Sequence, residues 1–345
     1  MISNGIAIDG IIFSLQQSGG VSTYFNNLLN FLGSTQEDVS FLIENPLLQN
    51  LAVNNNIFIH SRRARLLERY RCCRQVKKSG VFHSSYYRTS CYKDVPTVVT
   101  VHDFIYERYS LGLKKWVHSI QKNNAIRNAD AIICVSESTK NDLLNYVGIN
   151  SNQSIHVIHN GVSDSFCYLN LQQPDRPYIL FVGQRAGYKN FRLVLDALIF
   201  IHDIDLVCVG GGAIHPKELT GVATSVASRV NHLGYVSDES LNYLYNKAIC
   251  LVYPSLYEGF GIPVLEAMRS GCPVVSVSCK AVIEIGQDAL ILAQEIHSQS
   301  IAQAIFKTMS SDRMDIIRRC LAVGNKYSWK ETHKKTLETY SEISK

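Results

Sequence analysis

Residues 248–278 read AICLVYPSLYEGFGIPVLEAMRSGCPVVSVS and combine four local patterns in a fixed order. The apolar run 248–254 predicts a buried strand, and a loop with two glycines follows it. A proline in the first turn and a glycine after the last turn delimit a short helix over 263–270. The next apolar run, 273–278, predicts a second strand. A strand, a helix and another strand in this order indicate parallel strands with a helix packed on the sheet.

The same alternation extends over nearly the whole chain. Apolar, β-branched runs predict twelve strands, at 6–13, 38–44, 56–60, 80–85, 96–102, 130–135, 154–159, 178–183, 205–210, 229–236, 248–254 and 273–278. Helical periodicities lie between these runs, the clearest being Val21, Tyr24, Phe25, Leu28, Leu29 and Leu32. Near-continuous apolar strands separated by helices predict an α/β protein whose parallel sheets are covered on both faces.

Length and strand number together predict two domains. A chain of 345 residues corresponds to about two domains of typical size, and twelve strands are many for one open sheet. The polar stretch 163–177 separates the two series of strands. We therefore predict two Rossmann-like domains, 1–163 and 176–325, which face each other across a ligand-binding cleft. A last helix lies within 326–345.

The composition excludes several classes of protein. With 46% hydrophobic and 18% charged residues, the chain is neither disordered nor fibrous. It has no apolar run long enough for a transmembrane helix, and its first residues lack the basic region of a signal peptide. Its ten cysteines include no CxxC pair, so we expect reduced thiols in a cytoplasmic protein. The net charge of +5 allows an anionic partner but does not require nucleic acid.

Two glutamates flank the glycine loop of the opening segment. A strand end, a glycine loop and a helix N-terminus together present backbone N–H groups that suit a diphosphate. Glu258 precedes the glycines, and Glu266 lies eight residues on, in what we expect to be the first helical turn. A carboxylate beside a phosphate is favourable where it accepts hydrogen bonds from sugar hydroxyls. Each glutamate alone is also compatible with a solvated loop or a favourable helix end.

Two cations follow the strand predicted at 178–183. Arg185 and Lys189 stand at the carboxyl end of this strand, where doubly wound sheets bind ligands. Two positive charges there neutralise a leaving nucleoside diphosphate, which is work that a divalent metal does elsewhere. The alternative is a solvated basic loop. We accordingly predict a diphosphate site that needs no metal.

These motifs resemble a known family. EGFGIPVLEAM resembles the Glu-x7-Glu signature of the retaining glycosyltransferases of family 4, which have the GT-B fold, and VGQRAGYKNF is similar to their phosphate-binding segment. Further similar segments are SGGVSTYFNNLL, VTVHDFIYERY, ICVSESTKNDLL, VIHNGV and YSWKETHKKTLETY. The commoner family pattern has Gly and Arg adjacent, whereas Gln184 intervenes here.

The resemblance implies a donor site for a nucleotide sugar. Arg185 and Lys189 would bind its phosphates, and Glu266 would bind its ribose. Glu258 and the backbone after it would bind the donor sugar. The donor-binding residues implied in this way are Gly19, Gly20, Arg185, Lys189, Gly234, Tyr235, Val236, Glu258, Gly259, Phe260, Gly261, Ile262, Val264, Leu265 and Glu266.

The resemblance also implies the catalytic side. His102, Asp103 and Glu258 would act at the transferred sugar, and Ser136 and Asn160 would be acceptor or hinge residues. The acceptor hydroxyl would attack from the face that the diphosphate leaves, so that configuration is retained. The carboxylates Asp203 and Asp205 precede a predicted strand, at the amino end of the sheet, so we do not expect them to bind a metal.

A basic segment in the first half of the chain bears on where the acceptor is located. Arg62–Lys78 holds eight basic residues and one acidic residue, Glu68. Leu66, Tyr70 and Cys73 fall at helical spacing, which predicts a basic amphipathic helix. Such a helix either contacts an anionic membrane or packs on the domain with a solvated basic face. The first alternative places the protein peripherally on the inner face of the cytoplasmic membrane.

We therefore predict a glycosyltransferase of the bacterial polysaccharide or O-antigen type, as in lipopolysaccharide synthesis. It moves a hexose from GDP-mannose or a UDP-sugar to a lipid-linked or growing surface polysaccharide. Alternatives are another GT-B enzyme, either a sugar-nucleotide epimerase or a phosphorylase, or a nucleotide-sugar binding module without catalysis. The run 209–214 (VGGGAI) matches the nicotinamide fingerprint poorly.

Overall fold

The computed structural model describes residues 1–16, 19–44, 57–75, 77–172, 174–185 and 187–344. These residues form two compact units. Unit 1 comprises Met1–Gly161 and Trp329–Lys345, and unit 2 comprises Val162–Ser328. The predicted linker, 163–177, therefore lies within unit 2, apart from Gln173, which lies outside the described residues.

Unit 1 is built on a parallel sheet of seven strands. The strands are β1 (Ile6–Asp9), β2 (Val39–Glu44), β3 (Ile57–Arg62), β4 (Val81–Ser84), β5 (Thr97–Val101), β6 (Ala131–Cys134) and β7 (Ser154–Val157). Their spatial order is β3-β2-β1-β4-β5-β6-β7. The helices that follow the strands are α1 (Ile12–Leu15), α2 (Gly20–Gly33), α3 (Ile105–Tyr109), α4 (Gly112–Arg127) and α5 (Glu137–Tyr146).

Unit 2 is built on a second parallel sheet, of six strands. The strands are β8 (Tyr178–Val182), β9 (Asp205–Val209), β10 (Val230–His232), β11 (Leu251–Tyr253), β12 (Val274–Ser276) and β13 (Leu290–Leu292), in the order β10-β9-β8-β11-β12-β13. Its helices are α6 (Phe191–Ala197), α7 (Thr224–Ala227), α8 (Asp238–Lys247), α9 (Ile262–Arg269), α10 (Lys280–Gly286), α11 (Ser298–Ser310) and α12 (Arg313–Gly324). The final helix, α13 (Trp329–Ile343), belongs to unit 1.

The predicted α/β architecture with two parallel sheets is confirmed. Each of the twelve apolar runs overlaps a strand; β3 extends two residues beyond the run 56–60, whose first residue, Asn56, lies outside the described residues. The sequence analysis missed β13, although Leu290–Leu292 lies in a short apolar run, 289–293, like those that indicated β11 and β12. In the described part of the chain, no helix combines the length and apolar character that crossing a bilayer requires.

Each sheet reverses its strand order at one point. In unit 1 the reversal lies between β1 and β4, and in unit 2 it lies between β8 and β11. At such a point the loops after the two central strands turn to opposite faces of the sheet, which leaves a crevice at their carboxyl ends. The sheet topology therefore favours a ligand site beside the loops after β8 and β11 in unit 2.

The prediction of a basic amphipathic helix over Arg62–Lys78 is wrong. Arg62 ends β3, and the described part of the segment contains only a 3-10 turn, Glu68–Tyr70, preceded by Leu67 in the left-handed conformation. Val76 lies outside the described residues. The segment is not a helix, because it folds around a buried charge.

That charge is Arg88, whose side chain has no exposed surface. Its guanidinium donates to Glu44 at 2.9 Å and lies 3.4 Å from Glu68 and 3.7 Å from Asp9. Glu68 also accepts hydrogen bonds from Arg65. A buried cation needs carboxylate partners. Glu68 is therefore buried beside Arg88, and the basic segment that carries Glu68 packs around this charge and not as a regular helix.

The core of unit 1 contains histidines that burial keeps neutral. Tyr24 of α2 lies edge-on to His102 after β5 and to His333 of α13, and His333 stacks on Trp329. His83 of β4 is hydrogen-bonded to Tyr340 and Thr100. Burial lowers the pKa of His83, His102 and His333 to about 3 in each case. Below about pH 6.5 the three histidines therefore bind protons in the unfolded chain, whereas they remain unprotonated in the folded chain.

We predict that unit 1 loses stability as the pH falls from 8 to 5, by about 2 kcal/mol at pH 5 for each such histidine. His333→Phe preserves the stack on Trp329 and removes one of these histidines, so its loss between the two pH values is smaller by that amount. Urea unfolding followed by tryptophan fluorescence reports on unit 1, because both tryptophans lie in it. His60→Phe, on the edge strand β3, is the control. An equal pH dependence in His333→Phe and the unchanged protein would contradict the assignment.

Candidate functional site

Four loops of unit 2 meet at the carboxyl edge of its sheet. The loops after β8 and β9 are joined by the Arg185 guanidinium, and those after β9 and β10 are joined by a backbone hydrogen bond from Gly210 to Gly234. The loops after β8 and β11 are joined by Lys189 and Glu258. Arg185, Lys189 and Glu258, which the sequence analysis assigned to a diphosphate and a sugar, therefore lie at one edge of the sheet.

Lys189 and Glu258 form the central contact of this edge. The Lys189 Nζ lies 2.5 Å from Glu258 Oε1 and 3.2 Å from the Tyr253 hydroxyl. The two charged side chains are mostly buried, at 13% and 9% exposure. Tyr253 is the last residue of β11 and is buried. A cation at the strand-order reversal, with a carboxylate and a hydroxyl beside it, can bind either a phosphate or a sugar hydroxyl.

Backbone contacts fix the two loops that carry this pair. Lys189 ends a 3-10 turn, Gly187–Lys189, and Asn190 adopts the left-handed conformation before α6 begins. The Asn190 side-chain amide donates to the Pro254 carbonyl at 2.9 Å, and the Leu256 N–H donates to the Tyr188 carbonyl at 2.9 Å. The loops after β8 and β11 therefore behave as one support for Lys189.

Arg185 is engaged by protein groups. Its Nε donates to Glu218 at 2.7 Å, and its terminal nitrogens donate to the carbonyls of the glycine loop after β9, 210–213. The side chain is only 3% exposed. Gly211 must be glycine, because its φ is +71° and a Cβ would lie 2.6 Å from the Gly183 carbonyl oxygen. In this structure Arg185 shapes the glycine loop, and a direct bond to phosphate requires it to give up some of these acceptors.

Glu266 is the fifth residue of α9, one position further from the helix start than predicted, because the helix begins at Ile262 and not at Pro263. The Tyr245 hydroxyl of α8 donates to its Oε2 at 3.1 Å. Burial raises the pKa of Glu266 to about 7, with a smaller contribution from the negative charge of Asp238. Among the described residues, Tyr245 is the hydrogen-bond partner of the Glu266 carboxyl. The carboxyl can therefore accept further hydrogen bonds from the hydroxyl groups of a ligand.

The N-terminus of α9 can offer backbone groups to a ligand more readily than side chains. Gly261, at φ +109°, caps the helix, and the Val264 N–H already donates to the Gly261 carbonyl. Val264 and Leu265 have no exposed surface, so their side chains belong to the core and only their backbone can face a ligand. Phe260 is also buried, against Tyr327, and Ile262 is half-buried.

The turn after β10 holds three of the predicted donor-binding residues, Gly234, Tyr235 and Val236. Tyr235 is 72% exposed, and Gly234 accepts the hydrogen bond from Gly210. Val236 lines a cavity of about 370 Å³ together with Leu233 of the same turn and Tyr243 of α8. An exposed ring and an apolar cavity suit a flat heterocycle.

Unit 1 carries the other predicted site residues at the carboxyl ends of its strands. Gly19 caps α2, and Gly20 is its first residue. His102 and Asp103 directly follow β5. The His102 Nε2 is buried and has no hydrogen-bond partner among the described residues, while Asp103 accepts from the Ile105 N–H at 2.9 Å. Lys122 of α4 supports this turn, since its Nζ donates to the Asp103 carbonyl at 2.8 Å.

The other residues weighed in the sequence analysis lie at a helix cap and near strand ends. Ser136 is the N-cap of α5, where its hydroxyl accepts from the Thr139 N–H at 3.0 Å. Asn160 is buried near the end of β7. Asp205 begins β9 and pairs with Arg176, at the amino end of the sheet as expected. Among the described residues no group of three metal-ligating side chains comes together.

Three supporting residues were not predicted. Tyr253 bonds Lys189, Tyr245 bonds Glu266, and Glu218 bonds Arg185. Tyr253 could have been predicted from the sequence, because it stands near the carboxyl end of a predicted strand. Tyr245 and Glu218 lie on segments whose local patterns say nothing about the site, so only the fold brings them there.

Comparison with known proteins identifies the family to which this chain belongs. A model described as "Glycosyltransferase Family 4" matches residues 18–166, and one described as "Glycosyl transferases group 1" matches residues 176–311. Together they account for most of the chain. The chain belongs to the family 4 glycosyltransferases. The GT-B fold expected for this family is confirmed by a solved sucrose-phosphate synthase from Thermosynechococcus elongatus, with a TM-score of 0.76 over 98% of both chains at 17% identity.

Two curated relatives of this glycosyltransferase are mannosyltransferases. The O-antigen chain mannosyltransferase B of Escherichia coli is 39% identical over 178 residues, which are 47% of this chain and 45% of that protein. The O-antigen chain mannosyltransferase RfbU of Salmonella typhimurium is 30% identical over 182 residues, 51% of this chain and 50% of that protein. The matched part of the chain thus spans about half the length of each relative.

We predict that Arg185→Ala destabilises unit 2 by about 2 kcal/mol, because among the described residues Glu218 keeps only its hydrogen bond from the His215 N–H and the glycine loop loses its donors. Hydrogen exchange of backbone amides in 210–213 should accelerate. The control is Arg192→Ala, since Arg192 also pairs with an acid and bonds loop carbonyls but is half exposed. Its cost is expected within about 1 kcal/mol. Unchanged exchange in Arg185→Ala would show that the guanidinium does not hold the loop.

Proposed function

We propose that this glycosyltransferase transfers a hexose, with mannose as the first choice, from a nucleotide-diphosphate sugar to a lipid-linked or growing surface polysaccharide, with retention of configuration. The observation that carries the proposal is the Lys189–Glu258 pair at the strand-order reversal of unit 2. The mannosyltransferase relatives support mannose, and the donor base is either guanine or uracil.

Unit 2, corresponding to the predicted domain 176–325, is the proposed donor unit. Lys189 exchanges its contact with Glu258 for an oxygen of the diphosphate, and this frees Glu258 for hydroxyls of the donor sugar. Glu266 accepts hydrogen bonds from the ribose, while Tyr245 fixes its carboxyl. The Gly234–Val236 turn receives the base. This division of roles follows from charge, because the one cation of the pair suits phosphate and the carboxylates suit hydroxyls.

Unit 1, corresponding to the predicted domain 1–163 with the final helix, is the proposed acceptor unit. The acceptor oxygen forms a bond to the anomeric carbon while the bond from that carbon to the diphosphate oxygen breaks. The acceptor proton passes to a diphosphate oxygen, on the same face of the sugar. His102 is neutral, because burial lowers its pKa to about 3, so it contributes a hydrogen bond to the sugar and not a positive charge. Gly19 and Gly20 offer backbone N–H groups to the diphosphate.

We propose that the reaction needs no divalent metal. Lys189 and the N–H groups of the loops stabilise the leaving diphosphate, which is the work of a metal in other transferases. The expected outcome is full activity after treatment with EDTA, measured as release of nucleoside diphosphate in the presence of acceptor. A loss restored by Mg²⁺ or Mn²⁺ would overturn this part of the proposal.

We predict that Lys189→Ala and Glu266→Ala each reduce transfer about 100-fold or more, which corresponds to roughly 3 kcal/mol of transition-state stabilisation. The measurement is acceptor-dependent release of GDP or UDP from the nucleotide sugar, and the anomer of the product is read by NMR. Lys307→Ala, an exposed lysine on α11, is the control. Near-unchanged rates in both site variants would end the assignment, as would turnover without an acceptor, which an epimerase would show, or turnover dependent on inorganic phosphate.

We further predict that affinity for an intact nucleotide sugar rises as the pH increases from 6 to 8. The ribose hydroxyls favour the ionised form of Glu266, whose pKa in the free protein is about 7, so binding is stronger where that form prevails. The intact sugar donor is used because its diphosphate does not titrate in this range. Glu266→Gln removes the titration, and calorimetry should find its affinity nearly independent of pH. A pH dependence that persists in Glu266→Gln would assign the effect to another group.

A further inference from the structure

Helix α4 presents an apolar face that no described part of unit 1 covers. Leu113, Trp116, Val117 and Ile120 follow the spacing of one helix face, and their exposures are 80%, 64%, 38% and 48%. The opposite face of the helix is in the core, where Ala125 and Ile126 are buried. An amphipathic helix normally buries its apolar face, so α4 is unusual in having a second one.

The apolar surface continues onto the segment that the sequence analysis took for a helix. Leu66, Leu67 and Tyr70 are 82%, 63% and 47% exposed. The Gln121 side chain of α4 donates to the Arg69 carbonyl at 2.6 Å and ties the two elements together. Tyr70 and Val117 line two adjacent cavities of about 460 and 340 Å³, so Tyr70 and the apolar face of α4 form one continuous surface. Leu66 and Leu67 precede Tyr70 in the same segment. Such a patch on a folded protein marks an interaction site.

The exposed charges on the two segments that form this patch are of one sign. Arg63 and Arg71 are exposed, and the Arg69 guanidinium lies over the rings of Tyr70 and Tyr86 at 5.0 and 5.1 Å. The ranges 62–75 and 111–127 contain one acidic residue, Glu68, and it is buried against Arg65 and Arg88. Exposed leucines, a tryptophan and a tyrosine beside arginines match an interface between water and an anionic bilayer.

We propose that this surface, formed by Leu66, Leu67, Tyr70, Arg71, Leu113, Trp116, Val117 and Ile120, inserts into the headgroup region of an anionic phospholipid bilayer. The inference deepens the proposed function, because a lipid-linked acceptor is presented at such a bilayer. It also moves the membrane contact from the predicted basic helix to α4 and the turn beside it. The apolar side chains enter the interface while Arg71 and Arg69 meet lipid phosphates.

The test is co-sedimentation of the full chain with vesicles of equal parts phosphatidylglycerol and phosphatidylcholine. Leu113→Ser combined with Trp116→Ser should weaken binding about tenfold or more. The matched control is Phe306→Ser combined with Met309→Ser, two residues at the same spacing on α11 of unit 2 with exposures of 45% and 50%. The control should bind like the unchanged protein, and pure phosphatidylcholine vesicles should bind all forms weakly.

Fluorescence locates the contact. Trp116 is 64% exposed and Trp329 only 8%, so quenching by brominated lipid should report Trp116 and disappear in Trp116→Phe. Equal vesicle binding by the Leu113→Ser, Trp116→Ser variant would overturn the proposal. So would a concentration-dependent dimer that this variant abolishes in ultracentrifugation, which would make a second copy the occupant.

The two proposals fail separately. Nucleotide-sugar affinity without vesicles should be unchanged in the Leu113→Ser, Trp116→Ser variant, and vesicle binding should be unchanged in Lys189→Ala. Loss of vesicle binding with intact nucleotide affinity supports the surface on α4. Nucleotide-sugar binding that never occurs in any form, with intact vesicle binding, would contradict the proposed function alone.

Discussion

The reversal of strand order between β8 and β11 is the constraint on which the site depends. Parallel pairing places the carboxyl ends of both strands at one edge, and the reversal sends their loops to opposite faces. Lys189 and Glu258 meet at that point, although they are far apart in sequence. Arg185 extends the same edge to the loops after β9 by binding their carbonyls. The sheet topology thus brings these loops together, and their side chains then form the site.

Burial gives the two units different electrostatic behaviour. In unit 1 it keeps His83, His102 and His333 neutral, which makes the fold sensitive to acid and leaves an uncharged imidazole after β5. In unit 2 it raises the pKa of Glu266 to about 7, so both charge states of this carboxyl are populated near neutral pH. The same physical cause, loss of hydration, therefore opposes the charged form in both cases.

The segment after β3 illustrates where sequence patterns fail. Its basic residues and helical spacing predict an amphipathic helix, yet the buried guanidinium of Arg88 draws Glu68 out of that pattern. The apolar face that does remain open belongs to α4, whose spacing alone does not tell which of its faces is buried. Arg185 gives a similar lesson, because its position in the motif predicts a phosphate ligand while its donors are held by Glu218 and loop carbonyls.

The sequence by itself determined all the described strands except β13, the parallel sheets and the family, because apolar runs and short motifs are local properties. It also located Lys189, Glu258 and Glu266 on the correct strand ends and helix. Only the tertiary structure decided which partners these residues have, among them Tyr253 and Tyr245, and which helix face stays open. The physical reason is that burial and pairing depend on neighbours distant in the chain, and no local pattern encodes them.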